Sequence, residues 1–342
     1  MKSILILLLF IGQSLCSYTQ NVGALPQRMP VAIKGATIHC ANGKTIQSGV
    51  IAFEAGKITI LEDMRSSKIL NQDKYEWIDA TGKHIYPGLI ALNTQLGLSE
   101  IESIKATNDF SEIGSYNPEV RALVAYNTDS RVLTQTAPVG GVISGMSSVM
   151  MLDGWNWEDA VYKADDAIFM YWPYLNSPTR GSNNDAAKQN PTEQFENKIR
   201  ELKSFFDQAY AYSAKINPQP RNLKFESLIP VFKGERKIWV RAHDVIEIQS
   251  AVQFFESYSI KPVIVGAQEA WKITDFLKVK NIPVVLSETH RLPMYEDDNI
   301  AQAFKTPAIL ADNSILFSIS VDGFWQVRNL PFQVGQAIPY GL

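Results

Sequence analysis

The chain of 342 residues is long enough to bury a large core, and with 46% hydrophobic and 20% charged residues it has the composition of a globular protein. Its 35 acidic and 32 basic residues leave a formal charge of -3. This near balance gives no field that would attract nucleic acid or an anionic membrane surface, so we expect neither as a partner.

Residues 1–17 have the layout of a secretory signal peptide. Lys2 supplies a positive charge, the stretch 4–11 is apolar without interruption, and Ser14 and Cys16 provide small side chains before a cleavage point. The apolar stretch is too short to span a membrane as a helix. We therefore expect a periplasmic or secreted protein without a membrane span.

The region around the cleavage point carries two further expectations. Residues 18–29 are polar and contain proline, which is typical of a leader, and cleavage beside Cys16 leaves Cys40 without an intramolecular disulfide partner. A lipoprotein acylated at Cys16 is the alternative, but Gln13 and Leu15 are unfavourable neighbours for that modification.

Short strands separated by turns are predicted over residues 30–84. The pair Asn42-Gly43 and the stretch 54–57 are turn signals between apolar and β-branched segments. Strands of this length bury little core by themselves. The predicted strands are 32–38, 49–53, 58–61 and 77–79.

A buried strand is predicted after the polar turn at 82–84. A Pro-Gly pair punctuates a short apolar run that ends at Leu92, and Asn93 and Gln95 follow it. Because side chains two positions apart on a strand point the same way, this pattern predicts that Asn93 and Gln95 lie on one face.

A long amphipathic helix is predicted over residues 192–215, after a polar surface loop at 176–192 that is rich in Pro, Gly and Asn. Phe195, Ile199 and Phe206 recur at helical spacing with charged residues between them. We expect this helix to cover the main sheet.

From residue 236 onward, predicted strands alternate with predicted helices, and Asp244 is a candidate cap for the first of these helices. Such alternation indicates a parallel sheet with right-handed crossovers. Eight units of this kind form a (β/α)8 barrel, whose chemistry lies at the C-terminal ends of its strands. The strands are 237–243, 261–265, 283–286 and 314–320, and the helices are 244–258, 269–280 and 300–313.

Residues 86–95 resemble the first barrel strand of the amidohydrolase superfamily, whose usual form is Pro-Gly-Leu-Ile-Asp-x-His-x-His. The match covers 87–90, while the two histidines that hold a catalytic metal in the family fall on Asn93 and Gln95. Further segments that resemble the family are 35–38, 56–58 and 78–83.

Over residues 96–160 the sequence is similar to a subgroup, the imidazolonepropionase-like secreted bacterial amidohydrolases, in segments 93–98, 109–112, 126–130 and 155–159. The resemblance implies an α/β fold with two domains, a (β/α)8 TIM-like barrel over 85–342 and half of a small β-sandwich over 30–84. In the family, C-terminal strands complete this sandwich. The family also continues beyond the segment that matches 328–342. We therefore expect a barrel truncated at its C-terminus and an incomplete sandwich, in a fragment or in a chain that a partner completes.

The resemblance also implies a degenerate metal site. His243 matches the histidine of the fifth strand and Asp322 matches the aspartate of the eighth, whereas Asn93, Gln95 and Gly266 stand at three further ligand positions. The family's carboxylate or modified lysine of the fourth strand has no match in this sequence. Zinc requires three or more nitrogen, sulfur or carboxylate ligands for firm binding. We therefore expect either no cofactor or a divalent metal held weakly by His243 and Asp322.

A reaction without metal is a second possibility. His243 and His290 are candidates for general base and acid, with Asp322 orienting one of them. The alternatives without a catalytic role are that His243 is a hydrogen-bonded residue at a strand end and that Asp322 makes a turn. Residues predicted to bind substrate are Asn93, Gln95, Arg241 and Trp325, with Arg291 as the alternative carboxylate ligand to Arg241.

Two functions follow from the resemblance. The first is a hydrolase of carbon–nitrogen bonds other than peptide bonds, acting on a small cyclic amide or peptide-like molecule. The second is a non-catalytic relative that binds a ligand or scaffolds an intact amidohydrolase partner, with a homo-oligomer as a further option. The fold supports either, because function depends on the site.

Overall fold

The computed structural model describes residues 27–40, 42–66, 72–99, 108–128, 134–174, 191–293, 295–323 and 325–342. The predicted signal peptide, most of the predicted leader and nearly all of the predicted loop at 176–192 lie outside the described residues. The chain divides into two compact units, a smaller one within Val22–Ile90 and a larger one that contains Ala91–Leu342.

The smaller unit is a five-stranded sheet, which contains the four strands predicted over 30–84 and one more, His84–Ile85. Its spatial order is β3-β2-β1-β4, and β5 pairs with β1. The pairs β1–β2 and β2–β3 are antiparallel, whereas β4 and β5 run parallel to β1. The strands are β1 (Val31–His39), β2 (Thr45–Glu54), β3 (Lys57–Asp63), β4 (Glu76–Asp79) and β5 (His84–Ile85).

The larger unit contains an eight-stranded sheet in which the strands follow chain order from β6 to β13. The four strands predicted after residue 236 are confirmed as neighbours, and β9 to β13 are parallel throughout. The strands are β6 (Ala91–Thr94), β7 (Thr134–Thr136), β8 (Ile143–Met150), β9 (Val161–Tyr171), β10 (Lys237–Ala242), β11 (Val263–Gly266), β12 (Val284–Ser287) and β13 (Phe317–Ser320).

The expectation of eight parallel βα units fails at β8. This strand runs antiparallel to both β7 and β9. Short connections, 137–142 and 151–160, join it to its neighbours, and the second contains just the small helix Trp157–Ala160. A parallel crossover needs a dozen residues or more, so these connections produce antiparallel neighbours instead.

The first and last strands of this sheet come close to each other. The hydroxyl of Ser320 donates a hydrogen bond to the main-chain oxygen of Leu92, and Ala91 packs against Ile319 and Val321. The sheet therefore curves until its two edges are adjacent. Among the described residues, however, β6 and β13 are not joined by a backbone ladder.

Helices cover the outer face of the sheet. None of those in the described part of the chain is long and apolar enough to cross a membrane. The predicted helix at 192–215 is observed as Pro191–Ser213. The other helices are Leu223–Phe232, Val245–Glu256, Thr274–Lys280, Gln302–Asp312 and Leu330–Ala337.

Side chains along β10 alternate between the helices and the inner face of the sheet. Ile238 and Val240 belong to the main core with side chains of the covering helices. Trp239 belongs to a separate core with Phe169 of β9. Arg241 comes two residues after Trp239, so the strand directs it to the inner face.

Phe206 tests the packing of the long helix, because its side chain is fully buried among the rings of the main core. We expect Phe206→Ala to lower the free energy of unfolding by about 3–5 kcal/mol, measured by urea denaturation. Tyr210→Ala, on the same helix with the side chain 52% exposed, is the control and should lose less than half as much. Equal losses would contradict this helix placement.

Candidate functional site

An ion pair between Arg241 and Asp322 lies at the C-terminal ends of the parallel strands. Nη1 of Arg241 donates to Oδ2 of Asp322 at 2.9 Å, and Nη2 donates to Oδ1 at 2.8 Å. The amide of Asn93 donates to the same Oδ1 at 3.2 Å. Side chains from the ends of β6, β10 and β13 therefore meet at one carboxylate. This two-pronged geometry is the strongest form of an arginine–carboxylate contact.

Arg241 is held from a second direction by an aromatic ring. Its guanidinium carbon lies 5.5 Å from the centre of the Tyr171 ring, within range of a cation–π contact. Burial acts to lower the pKa of Arg241, but hydrogen bonds to Asp322 and the charge of that carboxylate outweigh burial and raise the pKa. The guanidinium is therefore a permanent cation in a fixed position.

His243 follows β10 directly, and the next helix fixes its main chain. The N–H of His243 donates to Oε2 of Glu247 at 2.7 Å. Asp244 caps the helix Val245–Glu256, as predicted, by accepting from the N–H of Glu247 at 2.8 Å. The two carboxylates thereby hold the turn that presents the His243 side chain.

The imidazole of His243 lies against Gly266. A Cβ atom on residue 266 would stand 2.6 Å from Cε1 and 2.7 Å from Nδ1 of His243, and Gly266 has a φ of +94°. Glycine is therefore required here both for space and for backbone conformation. Nδ1 is buried without a hydrogen-bond partner among the described residues. Burial, and secondarily the charge of Arg241, lower the pKa of His243 to about 4, so the ring is neutral at pH 7.

A cavity of about 460 Å³ opens beside these residues. Its walls combine aromatic rings with a few polar side chains, which is typical of a small-molecule site. The lining residues are Tyr171, Trp172, Tyr174, Arg241, His243, Asp244, Glu247, Gln268 and Tyr295.

Two carboxyl groups near this site were missed by the sequence reasoning. Burial raises the pKa of Glu247 to about 7, against the lowering effect of the hydrogen bond from His243. Burial, followed by the charge of Asp322, also raises the pKa of Glu288. The spacing Asp244-x-x-Glu247 is a capping-box signal that could have identified Glu247, whereas no local pattern marks Glu288.

Other predicted site residues lie elsewhere. His290 is exposed, its N–H donates to Oε1 of Gln333 at 2.8 Å, and its ring meets Phe304 edge-on at 5.7 Å. Trp325 begins a short helical turn and is 56% exposed. Neither residue is among the described side chains that line the cavity. Joint action of His243 and His290 as base and acid stays a prediction without support from the cavity lining.

The prediction that one strand presents Asn93 and Gln95 on the same face is wrong. Strand β6 ends at Thr94, and Asn93 has a φ of +52°. The register between β6 and β7 also shifts between Ala91 and Thr94. This irregularity breaks the two-residue alternation. Asn93 is buried against Asp322, whereas Gln95 lies half-buried beyond the strand.

The residues at the positions where the sequence resemblance implies metal ligands do not fit a catalytic metal ion. Arg241 binds both carboxylate oxygens of Asp322, Asn93 directs an N–H donor at the same carboxylate, and Gly266 offers no side chain. In the described ranges, no group of three or more His, Cys, Asp or Glu side chains is arranged to hold a metal. Firm zinc binding needs at least three such ligands.

Comparison with known proteins supports the fold. The sequence matches no protein-family model and no curated protein. The crystal structure of an amidohydrolase from Thermotoga maritima matches with a TM-score of 0.69 at 20% identity, over 91% of this chain and 84% of that chain. An ochratoxinase from A. niger matches with a TM-score of 0.46 at 10% identity, over 92% of this chain and 80% of that chain. The chain therefore has the fold of the Thermotoga amidohydrolase, as the resemblance over 86–95 predicts.

The ion pair of Arg241 and Asp322 can be tested by a double-mutant cycle. We expect Arg241→Met and Asp322→Leu to be coupled by about 1–3 kcal/mol in free energy of unfolding, because each single change leaves a half-buried charge unpaired. The pair Arg221 and Glu226 is also two-pronged but more exposed, and its cycle should give a smaller coupling. Additive single and double variants at Arg241 and Asp322 would contradict the contact.

The raised pKa of Glu247 predicts a pH-dependent loss of stability. Its pKa rises from 4.5 in the unfolded chain to about 7 in the folded one, so ionisation between these values favours unfolding. Relative to wild type, Glu247→Gln should gain about 2–3 kcal/mol in unfolding free energy between pH 4.5 and pH 8, measured by urea denaturation.

Glu226→Gln is the matched control for that measurement. The hydrogen bond from Arg221 lowers the pKa of Glu226, so this substitution should lose stability relative to wild type as pH rises. A pH profile of Glu247→Gln parallel to wild type would contradict the burial of an ionisable carboxyl at residue 247.

Proposed function

We propose that this chain is a periplasmic or secreted member of the amidohydrolase superfamily that binds a small amide-containing molecule without a catalytic metal. The observation that carries the proposal is the pairing of both Asp322 oxygens with Arg241, at distances of 2.8 and 2.9 Å. Metal-dependent amide hydrolysis requires that carboxylate, or a set of other ligands, to be available to the ion. Here the carboxylate serves a guanidinium instead.

The cavity supports a binding function. Its volume of about 460 Å³ suits a small molecule, and the rings of Tyr171, Trp172 and Tyr295 supply apolar wall. Trp172 is held in place, since its Nε1–H donates to Ser250 at 2.8 Å. A rigid aromatic wall binds a ligand with little loss of side-chain entropy.

The electrostatic role of the missing metal falls to Arg241 in this proposal. The ion pair uses one N–H from each terminal nitrogen, and the guanidinium has five N–H donors. Further donors therefore remain on the side chain, which lines the cavity. Export rests on the pattern of residues 1–17 alone, and binding to an intact amidohydrolase or a second copy stays a prediction of the sequence.

Metal analysis, turnover and ligand binding on one preparation of the exported chain test the proposal. After dialysis against zinc we expect less than one metal per chain, and no hydrolysis of dipeptides, N-acyl amino acids or lactams. Members of the same panel should raise the melting temperature of wild type, but not that of His243→Leu. Stoichiometric zinc that is lost in His243→Ala would overturn the proposal.

Hydrolysis without metal is the second candidate, and the position of Glu247 favours it. This carboxyl lines the cavity, and a base with a pKa of about 7 is matched to neutral pH. Turnover that survives a chelator and disappears in Glu247→Gln would establish this alternative. Turnover that a chelator abolishes would instead support the metal-dependent reaction.

A further inference from the structure

The orientation of the His243 ring determines which of its atoms a ligand can reach. The edge formed by Nδ1 and Cε1 faces Gly266, where a Cβ on residue 266 would fall within 2.7 Å of both atoms. Nδ1 is buried and has no hydrogen-bond partner among the described residues. His243 also lines the cavity, so the opposite part of the ring, which carries Nε2, is the part that faces a ligand.

The position of the imidazole proton follows from that burial. A proton on Nδ1 would place an N–H donor in the interior without an acceptor among the described residues, which is unfavourable. A second proton would add an unpaired buried charge, which costs more. The stable form therefore carries a single proton on Nε2, and His243 presents one neutral N–H donor to the cavity.

The cation of the cavity lining already has its countercharge, whereas the carboxylates of the lining are partnered by uncharged main-chain N–H groups. Arg241 is bound to Asp322, Glu247 accepts from the N–H of His243, and Asp244 accepts from the N–H of Glu247. The side chain of Gln268 adds an uncharged donor and acceptor. An anionic ligand would therefore have to leave water without gaining an unpaired cation among the described side chains of this lining.

We infer that the cavity selects an uncharged carbonyl compound with a flat apolar body, whose carbonyl oxygen accepts a hydrogen bond from Nε2–H of His243. This inference rests on the proposed binding function and names its ligand class. Gly266 is the positioning residue, because it provides the space that holds the ring in this orientation. The aromatic side chains of the cavity pack against the body of the ligand.

Two probes of similar shape and different charge test the inference. Benzamide is neutral, and benzoate is an anion at pH 7. We expect benzamide to bind the exported chain at least about tenfold more tightly than benzoate, which corresponds to roughly 1.4 kcal/mol, by ligand-observed NMR titration. Equal or tighter binding of benzoate, or no binding of benzamide, would overturn the inference.

Substitutions of His243 separate the donor from the packing of the ring. His243→Gln retains an N–H donor near the position of Nε2 and should keep most of the preference for benzamide. His243→Leu fills similar space without a donor and should lose it, with circular dichroism as the check on folding. Equal preference in both variants would overturn the role of the hydrogen bond.

The proton itself can be observed in the unmodified protein, which requires no variant to fold. Nitrogen-15 NMR of labelled wild type should assign to His243 a proton-bearing Nε2 and a bare Nδ1. A proton on Nδ1 would overturn the inference. Zinc content and turnover test the proposed function separately. If the protein binds benzoate more tightly than benzamide, this inference is wrong, but the proposal of binding without a metal still holds.

Discussion

The salt bridge between Arg241 and Asp322 is the contact on which the site depends. It connects β10 to the segment after β13, and Asn93 brings the end of β6 to the same carboxylate. In the superfamily pattern these strand ends contribute ligands to a metal ion. In this chain a side-chain cation supplies the positive charge that balances Asp322, and the cation cannot dissociate. The charge balance at the centre of the site is therefore built into the fold.

A second constraint acts beside the first. Gly266 leaves space that the ring of His243 occupies, and a side chain at residue 266 would collide with that ring. The absence of a side chain at residue 266 and the orientation of His243 are therefore coupled. Together with the pairing of Arg241, this arrangement presents a neutral imidazole in a wall that also carries the carboxylates of Asp244 and Glu247.

The sequence predicted those parts of the fold that depend on local pattern. Alternating apolar residues and helical spacing identified β10 to β13 and the helices between them, and Asp244 caps its helix as its residue type suggests. The expectation of eight parallel βα units did not allow for the antiparallel β8, because strand direction depends on connection length and on the partner strand. The bulge at Asn93 was missed for a similar reason, since nothing local marks a register shift against β7.

By itself, the sequence determined that imidazole is absent at residues 93, 95 and 266, and that His243 and Asp322 stand at strand ends. The sequence could not determine which groups His243 and Asp322 contact. Arg241 and Asp322 are separated by 81 positions, and the curvature of the sheet decides that they meet. The tertiary structure likewise brings the Glu247 carboxylate to the main-chain N–H of His243. It also packs the ring of His290 against Phe304. The physical reason is that residue type sets which contacts are chemically possible, whereas packing of the strands sets which groups come within hydrogen-bonding distance.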